Sequence, residues 1–177
     1  LNYHAALARA SGERVAGLLG IRDLMMADDL AQMVTRERGR GKVLAFAHNS
    51  HLKRGKAQWQ FGTDLYTWWP AGSHLNEILG SRYAVIGTGV GVSVANGMAA
   101  EAGTLGARLT VGPGPARLIP THKGQWLSTP AIRALPARSG SVKNPTYFAL
   151  TPQSLTDFDW LAVLHSTAYN RGVPLLQ

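Results

Sequence analysis

The run Lys42-Val43-Leu44-Ala45-Phe46-Ala47 leads without a break into His48-Asn49-Ser50-His51, and this junction limits the folds open to the chain more than any other feature. A short apolar run, bounded by Gly41 and Lys42 before it and polar residues after it, predicts a strand over 43–48 buried on both faces. In open α/β sheets, ligands and reacting groups collect beyond the carboxyl ends of such strands. Two histidines at that edge, with an amide and a hydroxyl between them, therefore mark a candidate site.

The flanking sequence predicts the elements that would surround this strand. Ala, Leu and Val alternate with Arg9, Glu13 and Arg14 from Asn2 to about Leu19, which fits a helix ended by Gly20. Met26, Leu30, Met33 and Val34 then fall at helical spacing over Leu24–Val34, with Asp23 near the amino end and Gly39 and Gly41 closing the segment. Ser73 reads as the cap of a short helix running to Gly80. Strands are expected at Tyr83–Gly87, Tyr147–Thr151 and Trp160–Leu164. Recurrent glycine over 87–114 and proline over 112–145 predict loops, with one short helix near Ala131–Leu135. The fold class expected is α/β, a mainly parallel sheet flanked by helices, either one domain over 1–177 or an incomplete part of a larger domain. The aromatic stretch from Trp59 to Trp69 is too long and too apolar for a passive connector; it reads equally as a lid or binding wall and as a satellite cluster over one sheet edge.

Composition removes several classes of function. With 45% hydrophobic residues and five tryptophans the chain can bury a core, so disorder is excluded. No apolar stretch approaches the ~20 residues of a membrane span. Cysteine is absent, which removes thiolate metal sites, disulfides and cysteine nucleophiles. The net charge of +8 raises nucleic acid as a partner, yet the basic residues are dispersed and not interleaved with stacking aromatics, so a solvated basic surface is the favoured reading. The start Leu1-Asn2-Tyr3, without initiator methionine or charged-then-apolar leader, leads us to expect a piece of a longer, cytoplasmic protein.

His48 and His51 suit three roles: metal ligands, a base with its partner, or oxyanion stabilisers. A catalytic zinc needs a third protein ligand, and His74, His122 and His165 are isolated, so no metal is assigned; a divalent ion at His48 and His51 stays open. A helix antiparallel to the strand it feeds begins at that strand's carboxyl edge. Arg22 and Asp23 would then lie beside the histidines, making an Arg–Asp–His–His cluster. A rival site is Gly91-Val92-Ser93-Val94-Ala95, since Ser93, Asp157 or Asp159, and His165 follow the chain order of an α/β-hydrolase triad. Gly87-Thr88-Gly89-Val90-Gly91 fails the dinucleotide fingerprint and is set aside.

Arg22-Asp23-Leu24-Met25-Met26-Ala27, the strand ending His48-Asn49-Ser50-His51, Gly72-Ser73-His74-Leu75 and Leu79–Gly87 together resemble the carboxy-terminal half of the erythromycin esterase family, over roughly residues 1–92. The resemblance implies a metal-independent or weakly metal-linked hydrolase on an α/β core. A histidine would activate water to open a macrolactone or similar small-molecule ester. It places His48 and His51 in the catalytic cleft with Arg22 and Asp23 close by; with the aromatic loop 59–69 read as the wall of that cleft, Asn49, Trp59, Trp68 and His74 are expected against the substrate. Two departures accompany it. Asp29 replaces the family's usual Asn, and the Gly-Glu-x-x-His-Gly motif of the presumed base has no counterpart, Gly12-Glu13-Arg14-Val15-Ala16 being only an echo. The chain is thus expected to need a missing amino-terminal part and to be inactive alone. The competing expectation is a non-catalytic module that binds a ligand in the same cleft.

Overall fold

A computed structural model of the chain describes residues 11–144 and 146–167. The start of the helix expected from Asn2 lies outside them. These residues form two compact units: Leu1–Val85 with Thr156–Asp159, and Ile86–Leu155 with Trp160–Gln177.

The first unit is built on helix α1, Ser11–Arg36, which runs straight through Gly20. Glycine costs about 1 kcal/mol inside a helix, and tertiary packing offsets it here. A Cβ at Gly20 would sit 3.8 Å from Cβ of Trp68, so another element is in close contact with the helix at this point. Asp23 therefore lies mid-helix, not near an amino end. Ala27 of α1 meets Ala71 and Leu75 of α3 (Ala71–Leu79), flanked by Met26, Leu30 and Tyr83. Ala27 and Ala71 are both fully buried, and their small side chains let the two helices approach closely. Helix α3 starts after Pro70, two residues before the expected cap, and ends at Gly80 as expected, with φ 55°.

Segment 43–48 makes no strand with any described residue. Val43, Ala45 and Ala47 are half-buried while Leu44 and Phe46 are 95% and 96% exposed, so burial on both faces is not observed. The residues are right for a strand, but a ladder needs a neighbour to accept its hydrogen bonds. His48 to Leu52 then turns into the one-turn helix α2, Asn49–Leu52. The aromatic stretch is a hairpin: β1 (Ala57–Phe61) pairs antiparallel with β2 (Asp64–Trp68), Phe61 opposite Asp64 and Ala57 opposite Trp68. Gly62, with φ 59°, supplies the first residue of the two-residue connection, where a left-handed conformation is needed.

The second unit holds a three-stranded sheet in the order β3-β5-β4, from β3 (Ile86–Val92), β4 (Ala116–Pro120) and β5 (Trp160–Ser166). β3 is parallel to β5, with Ile86 opposite Trp160; β4 is antiparallel to β5, with Ala116 opposite Leu164. The fold is mixed α/β with small sheets, not a mainly parallel sheet. The strand expected at 83–87 begins later and continues through the glycines to Val92. Tyr147–Thr151 is not a strand, although Leu150 is buried. β4 was hidden in the proline-rich stretch, whose short helix α5 is Pro130–Arg133. Leu105 and Leu109 of α4 (Leu105–Thr110), with Ile119, Leu150, Leu161 and Val163, make the core. Gly89 and Gly91 face this core: a Cβ at Gly89 would lie 2.6 Å from Cδ1 of Leu150, and one at Gly91 would run into the backbone carbonyl of His165. Glycine here permits close packing and does not break the strand. No helix among the described residues is long and apolar enough to cross a membrane.

Candidate active site

The first unit brings Arg22, Asp23 and His51 together. Asp23 is fully buried, projecting from the middle of α1. Its Oδ1 lies 2.6 Å from Nδ1 of His51, whose side chain is 19% exposed. A carboxylate can only accept, so His51 donates. Nε2 of the same ring lies 3.4 Å from Nη2 of Arg22, a long contact at the exposed end of the pair. Trp68, the last residue of β2, donates its indole N–H to Oδ2 of Asp23 and is itself buried.

His48 is the cap of α2. Its Nδ1 accepts from the backbone N–H of Ser50 at 3.3 Å and lies 2.8 Å from the Ser50 hydroxyl. Its ring meets that of His51 edge-on, with centroids 6.5 Å apart. The cap fixes the turn that delivers His51 to Asp23, because His51 N–H bonds back to the His48 carbonyl at 2.9 Å. Asn49 is buried at the first position of α2. Trp59 packs with Phe61 and Tyr66 on the hairpin, at 5.3 Å and 6.2 Å between ring centroids, and His74 is half-buried on α3. Trp68 shares the hairpin face of Trp59 and Tyr66 and is turned inward to Asp23. Among the described residues, no group of three or more His, Cys, Asp or Glu side chains is arranged to hold a metal ion.

Next along the chain, Lys53 and Arg54 tie the turn to the unit. Lys53 Nζ reaches Oδ2 of Asp157 at 2.8 Å, and Oδ1 of Asp157 accepts from Gly55 N–H at 2.9 Å. Arg54 donates to Asp159 at 2.6 Å, to Asn76 at 2.9 Å and to the Tyr83 carbonyl at 3.3 Å. The Tyr83 hydroxyl donates to the Leu52 carbonyl at 2.6 Å. Burial pushes that hydroxyl above its ordinary range; the charge of Arg54 works against this and that of Asp159 with it. Arg54 and Tyr83 were not singled out from the sequence. The signal available was the Lys53-Arg54 pair answered by Asp157 and Asp159.

The serine triad is not assembled. Asp157 and Asp159 are engaged by Lys53 and Arg54. Ser93 follows β3 in a tight hairpin, exchanging backbone hydrogen bonds of 2.9 Å with Met98, and its hydroxyl accepts from Asn96 at 3.0 Å. A nucleophile elbow needs a strand-to-helix turn with an exposed hydroxyl. Ser93 has neither, being 3% exposed.

Fold and site together define an α/β chain carrying a carboxylate-held histidine beside an arginine. The chain belongs to the erythromycin esterase family, whose family model matches residues 1–158. No curated protein matches. The structure is similar to the crystal structure of a Bacillus cereus protein, with a TM-score of 0.61 and 19% sequence identity over 92% of this chain. This chain spans 41% of that one.

Proposed function

We propose that the protein carrying this chain is a carboxylic ester hydrolase acting on a bulky, largely apolar ester such as a macrolactone. The observation that carries the reading is the Asp23–His51 pair at 2.6 Å, with the Arg22 guanidinium at the far side of the ring. A buried carboxylate that orients an imidazole is the arrangement used to manage a proton near neutral pH. An adjacent guanidinium is suited to the negative charge that grows on a carbonyl oxygen when water adds to it. Family membership supports ester hydrolysis as the reaction class.

In this reading Nε2 of His51 orients the attacking water, and Arg22 stabilises the tetrahedral oxyanion. The histidine that deprotonates the water belongs, by resemblance, to a Gly-Glu-x-x-His-Gly segment that is not among these residues. Collapse of the intermediate breaks the ester C–O bond, leaving the acid product, and the alkoxide leaves as alcohol with the proton that the base histidine took from the water. The aromatic hairpin face around Trp59 offers apolar surface for the substrate.

The test is incubation of the intact protein with erythromycin and with simple aryl esters, followed by mass spectrometry for a gain of one water. His51→Gln is expected to lower kcat about a hundredfold or more. Full activity in that variant would remove the site assignment, and binding of macrolide without turnover would replace the hydrolase with a binding module.

A further inference from the structure

We propose that Trp68 is a positioning residue of the site, holding the Asp23 carboxylate in the rotation that meets the His51 ring. This rests on the hydrolase reading for its catalytic meaning, though not for its geometry. Four groups form one chain of hydrogen bonds: the Trp68 indole, the two oxygens of Asp23, the two nitrogens of His51, and the Arg22 guanidinium. The groups at both ends can only donate. An indole N–H has no acceptor site, and neither has a guanidinium.

Those two ends fix everything between them. Trp68 donates to Oδ2 of Asp23, so that oxygen carries no proton towards it. The carboxylate is held in one rotation, and Oδ1 is turned to Nδ1 of His51 at 2.6 Å. Arg22 meets Nε2 with another N–H at 3.4 Å, so the lone pair of the neutral ring sits on Nε2 and the proton on Nδ1. The ring's one lone pair is thereby at the more exposed end, and because the Arg22 contact there is long, a water that takes this lone pair displaces the guanidinium towards the carbonyl oxygen. Without the indole donor, the carboxylate is free to rotate and the ring loses its fixed orientation, while the tautomer, set by the acceptor Asp23 and the donor Arg22, stays the same.

The packing is built for this contact. Trp68 is 8% exposed at the end of β2, opposite the buried Ala57. Gly20, one turn before Asp23 on α1, leaves its Cβ position 3.8 Å from Cβ of Trp68. A side chain placed to line a substrate cleft would show its ring face to solvent; Trp68 is turned inward to the one buried carboxylate of α1.

The experiment is 15N NMR of the imidazole nitrogens in the intact protein, at a pH where the ring is neutral. The wild type is expected to show His51 as the Nδ1–H tautomer alone. Trp68→Phe keeps most of the bulk and removes the donor. It is expected to keep the Nδ1–H tautomer but to weaken its bond to Oδ1, moving the His51 Nδ1–H proton resonance upfield, and to lower kcat about tenfold with KM unchanged. A His51 Nδ1–H resonance unchanged in Trp68→Phe would overturn the proposal. Should that variant not fold, the wild type still decides: a Trp68 indole proton exchanging with solvent as fast as free tryptophan would overturn it, and a protected one supports it. A shifted Nδ1–H resonance in Trp68→Phe of a protein that hydrolyses no ester would sink the hydrolase reading and leave the positioning role intact.

Discussion

Asp23 and His51 are 28 residues apart in the chain and 2.6 Å apart in the fold. The carboxylate comes from the middle of a long helix and the imidazole from a one-turn helix, so neither local element creates the pair. The cap at His48 and the anchors at Lys53 and Arg54, on either side of the turn, bring His51 to it.

Replacing Asp23 tests the pair directly. Asparagine preserves the shape but turns an N–H₂ towards one of two donors, His51 or Trp68. The mismatch is expected to cost about 2 kcal/mol of stability in urea unfolding. Hydrolysis should fall about a hundredfold or more, because an amide donating to Nδ1 moves the ring proton to Nε2.

The anchors are structural, and their loss should appear as stability. Arg54 reaches Asp159, Asn76 and the Tyr83 carbonyl at once, with both charged side chains 18% exposed. Arg54→Ala strands the carboxylate of Asp159 and should cost about 3 kcal/mol by urea unfolding. Arg54→Lys should recover less than half of that, since one ammonium cannot reproduce the forked geometry.

Tyr83 predicts the alkaline behaviour. Its buried hydroxyl gives up its proton at a higher pH in the folded state than in the unfolded chain. The folded state therefore binds more protons once the unfolded tyrosine ionises. The stability this provides is complete below about pH 10 and is lost as the pH rises beyond it. Tyr83→Phe should cost about 1 kcal/mol near neutrality through the lost bond to Leu52. Urea melts from about pH 8 to about pH 11 should then show a shallower alkaline decline than the wild type.

A metal requirement is not expected. Nδ1 of His51 is committed to Asp23, Nδ1 of His48 to Ser50, and a guanidinium lies 3.4 Å from the remaining nitrogen of His51, where it repels a dication. Dialysis against a strong chelator should leave the hydrolytic rate within about twofold, since a catalytic ion would need three protein ligands. A large loss restored by one divalent metal would contradict the assignment.

How far residues alone reveal this molecule depends on which force decides each segment. The Arg22, Asp23 and His51 cluster was legible, though for an inexact reason: Asp23 lies mid-helix, one turn beyond a Gly20 that was expected to end a helix. The end of α3 at Gly80 and the strand from Trp160 were legible because local conformation and apolar pattern agree there. Pairing over 43–48 was not, because a ladder depends on a neighbour and not on the segment itself. The hairpin 57–68 carries its own signal, alternating Trp59, Phe61 and Tyr66 around Gly62, which the aromatic content obscured. Trp68 read as a substrate contact because nothing in one sequence distinguishes an indole facing a ligand from one facing a buried carboxylate.

The glycines of β3 carry a consequence for any attempt to diversify this chain. At Gly89 and Gly91 the space for a Cβ is already taken by Leu150 and by the carbonyl of His165. A library randomised at those two positions and selected for folded protein should return glycine almost alone, while Thr88, just before Gly89 and exposed on the other face, should accept most of the alphabet.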